Sequence, residues 1–162
     1  MQRRSSMSAG HICRAAALVL TLLAVLRPLP SAAQQPVVLV TAEEAALLPL
    51  AELGEQGRGI SRGPGIEPVA PVNDATATSV PVPFRIRFTP RNEVPINPDT
   101  VRVIYLRSRS VDVTSRLRSY ITPGGIDIPL AIVPAGAHAF RIEVADGLGR
   151  QSATLLRFTA NR

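Results

Sequence analysis

At 162 residues, with 46% hydrophobic and only 4% aromatic side chains and no Trp, the chain has room for one domain of ordinary size after any targeting segment, and none for a second. The formal charge of +6 invites a nucleic-acid reading, but Arg3, Arg4, Arg14 and Arg27 all precede Gln34. The remaining fourteen Arg against twelve acidic residues leave about +2, too little to draw the chain to phosphate backbones or anionic lipid.

Residues 1–33 have the three-part layout of a secretory signal: basic Arg3, Arg4 and Arg14, the apolar run Ala15–Leu26, and a polar stretch ending Ser31-Ala32-Ala33. Cleavage is expected before Gln34, which places the mature chain in the periplasm or outside the cell. A run of twelve apolar residues rises only ~18 Å as a helix, short of a ~30 Å hydrocarbon core, so a membrane span is not expected. Cys13 precedes the apolar run, whereas a lipid-modified Cys would follow it, so the lone thiol leaves with the signal. Arg3-Arg4 is followed by Ser5-Ser6-Met7 and not by the apolar pair of a twin-arginine signal. Met7 serves equally as a start, because Met7–Ala33 keeps Arg14, the apolar run and the cleavage site.

Residues 34–65 read as an N-terminal arm. Thr41-Ala-Glu-Glu44 is a capping box, which predicts a short helix over 42–48 that Pro49 ends. Glu43 and Glu44 on its polar face argue for an arm that packs on the domain, since a membrane-surface helix would carry basic residues there. Five glycines between Gly54 and Gly65 describe a flexible linker. With no GK[ST] and no strand-loop-helix context, that stretch does not read as a phosphate loop.

From Ile66 the period changes to two. Phe84, Ile86 and Phe88 alternate with Arg85 and Arg87, and Phe140, Ile142 and Val144 alternate with Arg141, Glu143 and Ala145. Val101–Leu106 is apolar except at Arg102 and predicts a strand covered on both sides. Ser152–Ala160 closes the domain, and weaker strands are expected at 66–70, 111–116 and 126–132. Turns fall at Asn92–Pro98, Pro123-Gly124-Gly125, Pro134-Ala-Gly136 and Asp146–Gly149. About seven strands at this spacing predict an all-β fold, an Ig-like antiparallel β-sandwich over 66–162, resting on strand pattern alone.

Ile66-Glu-Pro-Val-Ala-Pro71, Phe84-Arg-Ile-Arg-Phe88, Ile96-Asn-Pro-Asp-Thr-Val101 and the run from Pro134 through Gly149 to Phe158 resemble, in that order, the bacterial Ig-like domains of exported envelope proteins. The resemblance implies a sandwich acting as a spacer, adhesive module or accessory fold. The Pro-rich first strand and the Phe88-Thr-Pro90 phrase are also distantly similar to periplasmic copper-carrier sandwiches of the CopC type. Those begin their mature chain with His and set further His or Asp nearby as ligands, where this chain has Gln34-Gln35 and a single mature histidine, His138.

His138 is also the only mature histidine available to activate a Ser nucleophile; it shares parity with Phe140, and its place just after a turn favours a structural role. No G-x-S-x-G elbow accompanies it. Asp112, Asp127, Glu143 and Asp146 lie in different predicted elements, which does not pair carboxylates for hydrolysis or gather zinc ligands. Asp146-Gly147 is what a tight turn demands, with calcium the competing reading. Arg85, Arg87, Arg102, Arg107, Arg109, Arg116, Arg118, Arg141 and Arg157 are expected to form a solvated face interleaved with Glu67, Glu143 and Thr, with an acidic envelope polymer as the partner that would exploit it. The expectation is therefore a non-catalytic exported interaction or structural module of the bacterial cell envelope, with no catalytic, cofactor or metal residues assigned and a protein or polymer partner. The alternative is a periplasmic small-ligand or copper-binding protein using His138 and one or two carboxylates.

Overall fold

The alternation that opens at Val82 sets the first sheet of the computed structural model, which describes residues 35–49 and 62–161, with the backbone alone over 76–79. In β4 (Val82–Thr89) Val82, Phe84, Ile86 and Phe88 are buried while Arg85 and Arg87 are exposed. Its neighbours are β2 (Gly65–Ala70) and β8 (Gly125–Ile132), both antiparallel. Register places Phe84 opposite Ile128, Ile86 opposite Ile126 and Arg85 opposite Asp127. One face is thereby apolar and the other a row of opposite charges, as cross-strand pairing favours. The far edge of β8 carries two short strands, β1 (Val37–Val38) and β7 (Ile121–Thr122).

The second sheet runs β3 (Ala75–Ser79), β10 (Gln151–Asn161), β9 (Gly136–Asp146), β5 (Ile96–Tyr105) and β6 (Val111–Asp112). Inward residues of β5, β9 and β10 meet those of β4 and β8. Phe84 contacts Phe140 edge-on at 5.6 Å, and Phe140 stacks on Phe158 at 5.9 Å. All four phenylalanines are buried, so the few aromatics are spent where both sheets share them.

The all-β sandwich expected from periodicity is present, but with ten strands among the described residues and with two parallel pairings, β1 with β8 and β3 with β10, where antiparallel pairing alone was expected. Three element readings change. The strand predicted over 111–116 is two residues long and gives way to helix α2 (Thr114–Leu117), because Asp112 accepts the Thr114 N–H at 2.9 Å and turns the chain, and Val113 and Leu117, four apart, then share the buried side. Val101–Leu106 is fully buried on one face only: Val101, Val103 and Tyr105 are buried, whereas Arg102 is exposed and Ile104 and Leu106 are half-buried. Helix α1 (Ala42–Ala45) is shorter than 42–48, since the Leu47 N–H donates to the Glu44 carbonyl at 3.3 Å and tightens the last turn ahead of Pro49.

The capping box forms in full. Glu44 N–H donates to Thr41 Oγ1 at 3.2 Å, and Thr41 N–H to Glu44 Oε2 at 2.9 Å. Leu39 and Val40, just before it, are part of the hydrophobic core, so the first described residues pack with the sandwich. The signal-type segment over 1–33 and most of the Gly-rich stretch, 54–61, lie outside the described residues. Among the described residues no helix is long and apolar enough to cross a membrane.

Candidate functional site at the His138 end of the sandwich

β9 opens at Gly136, directly after Pro134-Ala135, and Gly136 takes a φ of +131° that a side chain would disfavour. That entry turns His138 inward beside Phe158 and Tyr105 and leaves it 3% exposed. Both ring nitrogens are engaged: Nε2 is 2.8 Å from the Pro134 carbonyl oxygen and Nδ1 is 3.0 Å from the Tyr105 hydroxyl. A carbonyl only accepts, so the proton belongs on Nε2, and Nδ1 accepts from the Tyr105 O–H. The Tyr105 oxygen in turn accepts from Arg107 Nε at 2.7 Å, and Arg107 Nη2 donates to the Ala137 carbonyl at 2.7 Å. Burial pushes the imidazole below its ordinary value, the nearby Arg107 charge adds to this, and the Pro134 contact only partly opposes it. Burial likewise pushes the Tyr105 hydroxyl up, although Arg107 pulls the other way. Both rings are therefore neutral at pH 7.

Outside this chain of bonds opens a cleft of about 250 Å³. Leu106, Ala137, Ala139, Phe158 and Pro49 give it apolar walls, and Arg107, Arg157 and Asp74 also line it.

Asp146, the last residue of β9, is bonded into the turn that follows it and is not an open ligand. Its Oδ1 accepts the Leu148 and Arg150 N–H groups, each at 3.0 Å, and its Oδ2 pairs with Arg150 Nε at 2.6 Å. Burial alone would raise this carboxyl, but the bonds from Arg150 and Leu148 outweigh it and hold the group below the usual range. Asp127 and Glu143 lie on the outer faces of different sheets, paired with Arg85 at 2.8 Å and Arg141 at 2.7 Å. Asp112 ends β6, two residues ahead of α2, and is held low by its bond from Thr114. The four carboxylates do not converge, and among the described residues no three His, Cys, Asp or Glu side chains gather to hold a metal.

The arginine face divides. Arg87 pairs with Glu67 at 3.3 Å and Arg118 with Asp99 at 3.0 Å, while Arg102 and Arg109 are exposed. Arg116 leaves the face to grip Glu44 with both nitrogens, at 2.6 and 2.8 Å. Arg107 is not on the face at all, being 8% exposed. Its parity gave the signal: it follows Val101, Val103 and Tyr105 at steps of two, so it continues their inward side.

No family model matches the chain, and no curated protein matches it. A crystal structure of an engineered protein aligns with 61% of this chain and 20% of its own length, at 12% identity and a TM-score of 0.40; this chain thus spans a fifth of that protein.

Proposed function

We propose that this chain is a non-catalytic exported module of the bacterial cell envelope, with an Ig-like sandwich that serves interaction or structure. The observation that carries the reading is the fate of the side chains best equipped for chemistry. His138 spends both ring nitrogens on Tyr105 and Pro134, and Asp146 spends both oxygens on its own loop. Groups already bonded into the fold position strands and turns; His138 has no ring nitrogen left for substrate, and Asp146 is buried. Strand order supports the Ig-like part. β2, β4 and β8 stand in the places of strands A, B and E, and β5, β9 and β10 in those of C, F and G. Export rests on the layout of residues 1–33.

Fractionation of cells expressing the full chain, followed by N-terminal sequencing, tests export. A periplasmic or extracellular product beginning at Gln34 is expected, and a cytoplasmic product that keeps residues 1–33 would overturn it.

The small-ligand alternative is favoured by the cleft beside Arg107. Its copper form is not, because a metal at His138 would have to displace Tyr105 or Pro134.

A further inference from the structure

We propose that the cleft at the His138 end binds a small organic carboxylate through the Arg107 guanidinium, an inference that rests on the small-ligand reading of the chain. Arg107 is 8% exposed, yet its two hydrogen bonds go to neutral acceptors, the Tyr105 hydroxyl and the Ala137 carbonyl. Arg85, Arg87, Arg116, Arg118, Arg141 and Arg150 each have a carboxylate within 4.0 Å, and Arg107 has none among the described residues. A buried cation without a counter-ion is unfavourable until an anion reaches it. Two of the guanidinium's five N–H donors are used, and the side chain lines the cleft into which the others can donate.

The surroundings narrow the ligand. Among the described lining residues Arg107 and Arg157 are positive and Asp74 is negative, a balance that favours a small anion. Planar, paired oxygens suit the guanidinium fork, which selects a carboxylate. At about 250 Å³ the space falls below the ~300–1,000 Å³ of sites for drug-sized molecules. The apolar walls formed by Leu106, Ala137, Ala139 and Phe158 suit a short hydrocarbon or aromatic body. Tyr105 and His138 act as positioning residues: the Pro134 carbonyl fixes the imidazole, the imidazole fixes the phenol, and the phenol holds Arg107 Nε before any ligand arrives.

Titration of the full chain with sodium benzoate and sodium butyrate, followed by proton–nitrogen correlation NMR, tests the proposal. The expected result is a saturable shift of the Arg107 Nε–H signal and of the Ala139 and Thr159 amides, with no such shift from uncharged benzamide. Arg107→Lys should weaken benzoate binding at least about tenfold, because a point charge replaces the fork. Ala139→Leu, which fills the cleft and leaves the guanidinium in place, should weaken it as much. Equal shifts from benzamide, no saturation by either carboxylate, or unchanged binding in Ala139→Leu would each overturn the proposal, and the last decides the matter should Arg107→Lys fail to fold. None of these outcomes touches export, which fractionation tests separately.

Discussion

His138 is held neutral in a place where an unfolded chain would let it titrate normally, and that difference links stability to pH. Its folded value lies below the ordinary 6.5, so on acidification the unfolded chain takes up the proton first. Stability is complete above about 6.5 and falls as pH drops through that value toward the folded one. The Tyr105 hydroxyl that bonds the ring is pushed up by burial and stays neutral across this range, and it in turn accepts from Arg107. Urea unfolding at pH 7 and pH 5.5 should show the wild-type chain losing stability, and His138→Phe, which keeps the aromatic contacts, should flatten the change. A steeper loss in the variant would contradict the assignment. Gly125 gives a second residue-level test. At a φ of +147°, an added Cβ would stand 2.0 Å from the Ile86 carbonyl oxygen, whereas one on Gly124 would meet only Thr122 Oγ1 at 3.8 Å. Gly125→Ala should therefore cost more than about 2 kcal/mol in chemical denaturation and Gly124→Ala about 0.5 kcal/mol or less. The inward place of His138 was legible from its parity with Phe140. The buried Arg107 was equally legible by parity and was obscured by charge, because arginine in an alternating run is ordinarily the solvent-facing member.

Short elements gain their stability from what they grip. Helix α1 is one turn long and marginal by itself, but Glu44 joins it to α2 through Arg116, which also donates to the Leu39 carbonyl at 2.9 Å. The Arg116 bond, helped by the contacts from Thr41 and opposed by burial, lowers the Glu44 carboxyl from 4.5 to about 2. A depressed carboxylate stabilises the fold above its unfolded value, and that contribution fades as pH falls from about 4.5 toward 2. With the pair mostly buried, Glu44→Gln should lower stability at pH 7 by on the order of 1–3 kcal/mol in urea unfolding. The gap between variant and wild type should close near pH 2, and a gap that persists there would assign the effect to shape and not to charge. The capping box was readable because both its partners lie within four residues. The Arg116 contact spans 72 residues, and no local pattern encodes such a pairing. The change at α2 has the same origin: Val111 and Val113 fit a strand, Val113 and Leu117 fit a helix, and the Asp112 side chain decides between them.

Across the whole molecule the two sheets share a core that begins before the main run of strands. Leu39 and Val40 are fully buried among residues from both layers, and β1 pairs with β8 immediately ahead of them. Neither residue belongs to the alternating pattern that starts at Ile66, so periodicity draws the domain's edge too late. A chain without residues 34–61 loses Leu39 and Val40 from the core, and two such side chains are together worth about 3–6 kcal/mol of burial. Domains of this kind are stable by only about 5–15 kcal/mol in total. A chain that starts at Arg62 should therefore unfold at a clearly lower urea concentration than one that starts at Gln34, or fail to fold at all. Equal midpoints for the two chains would show that 34–61 is dispensable to the fold. A fall confined to the slope of the transition would mean instead that the surface exposed on unfolding had changed while the core stayed whole.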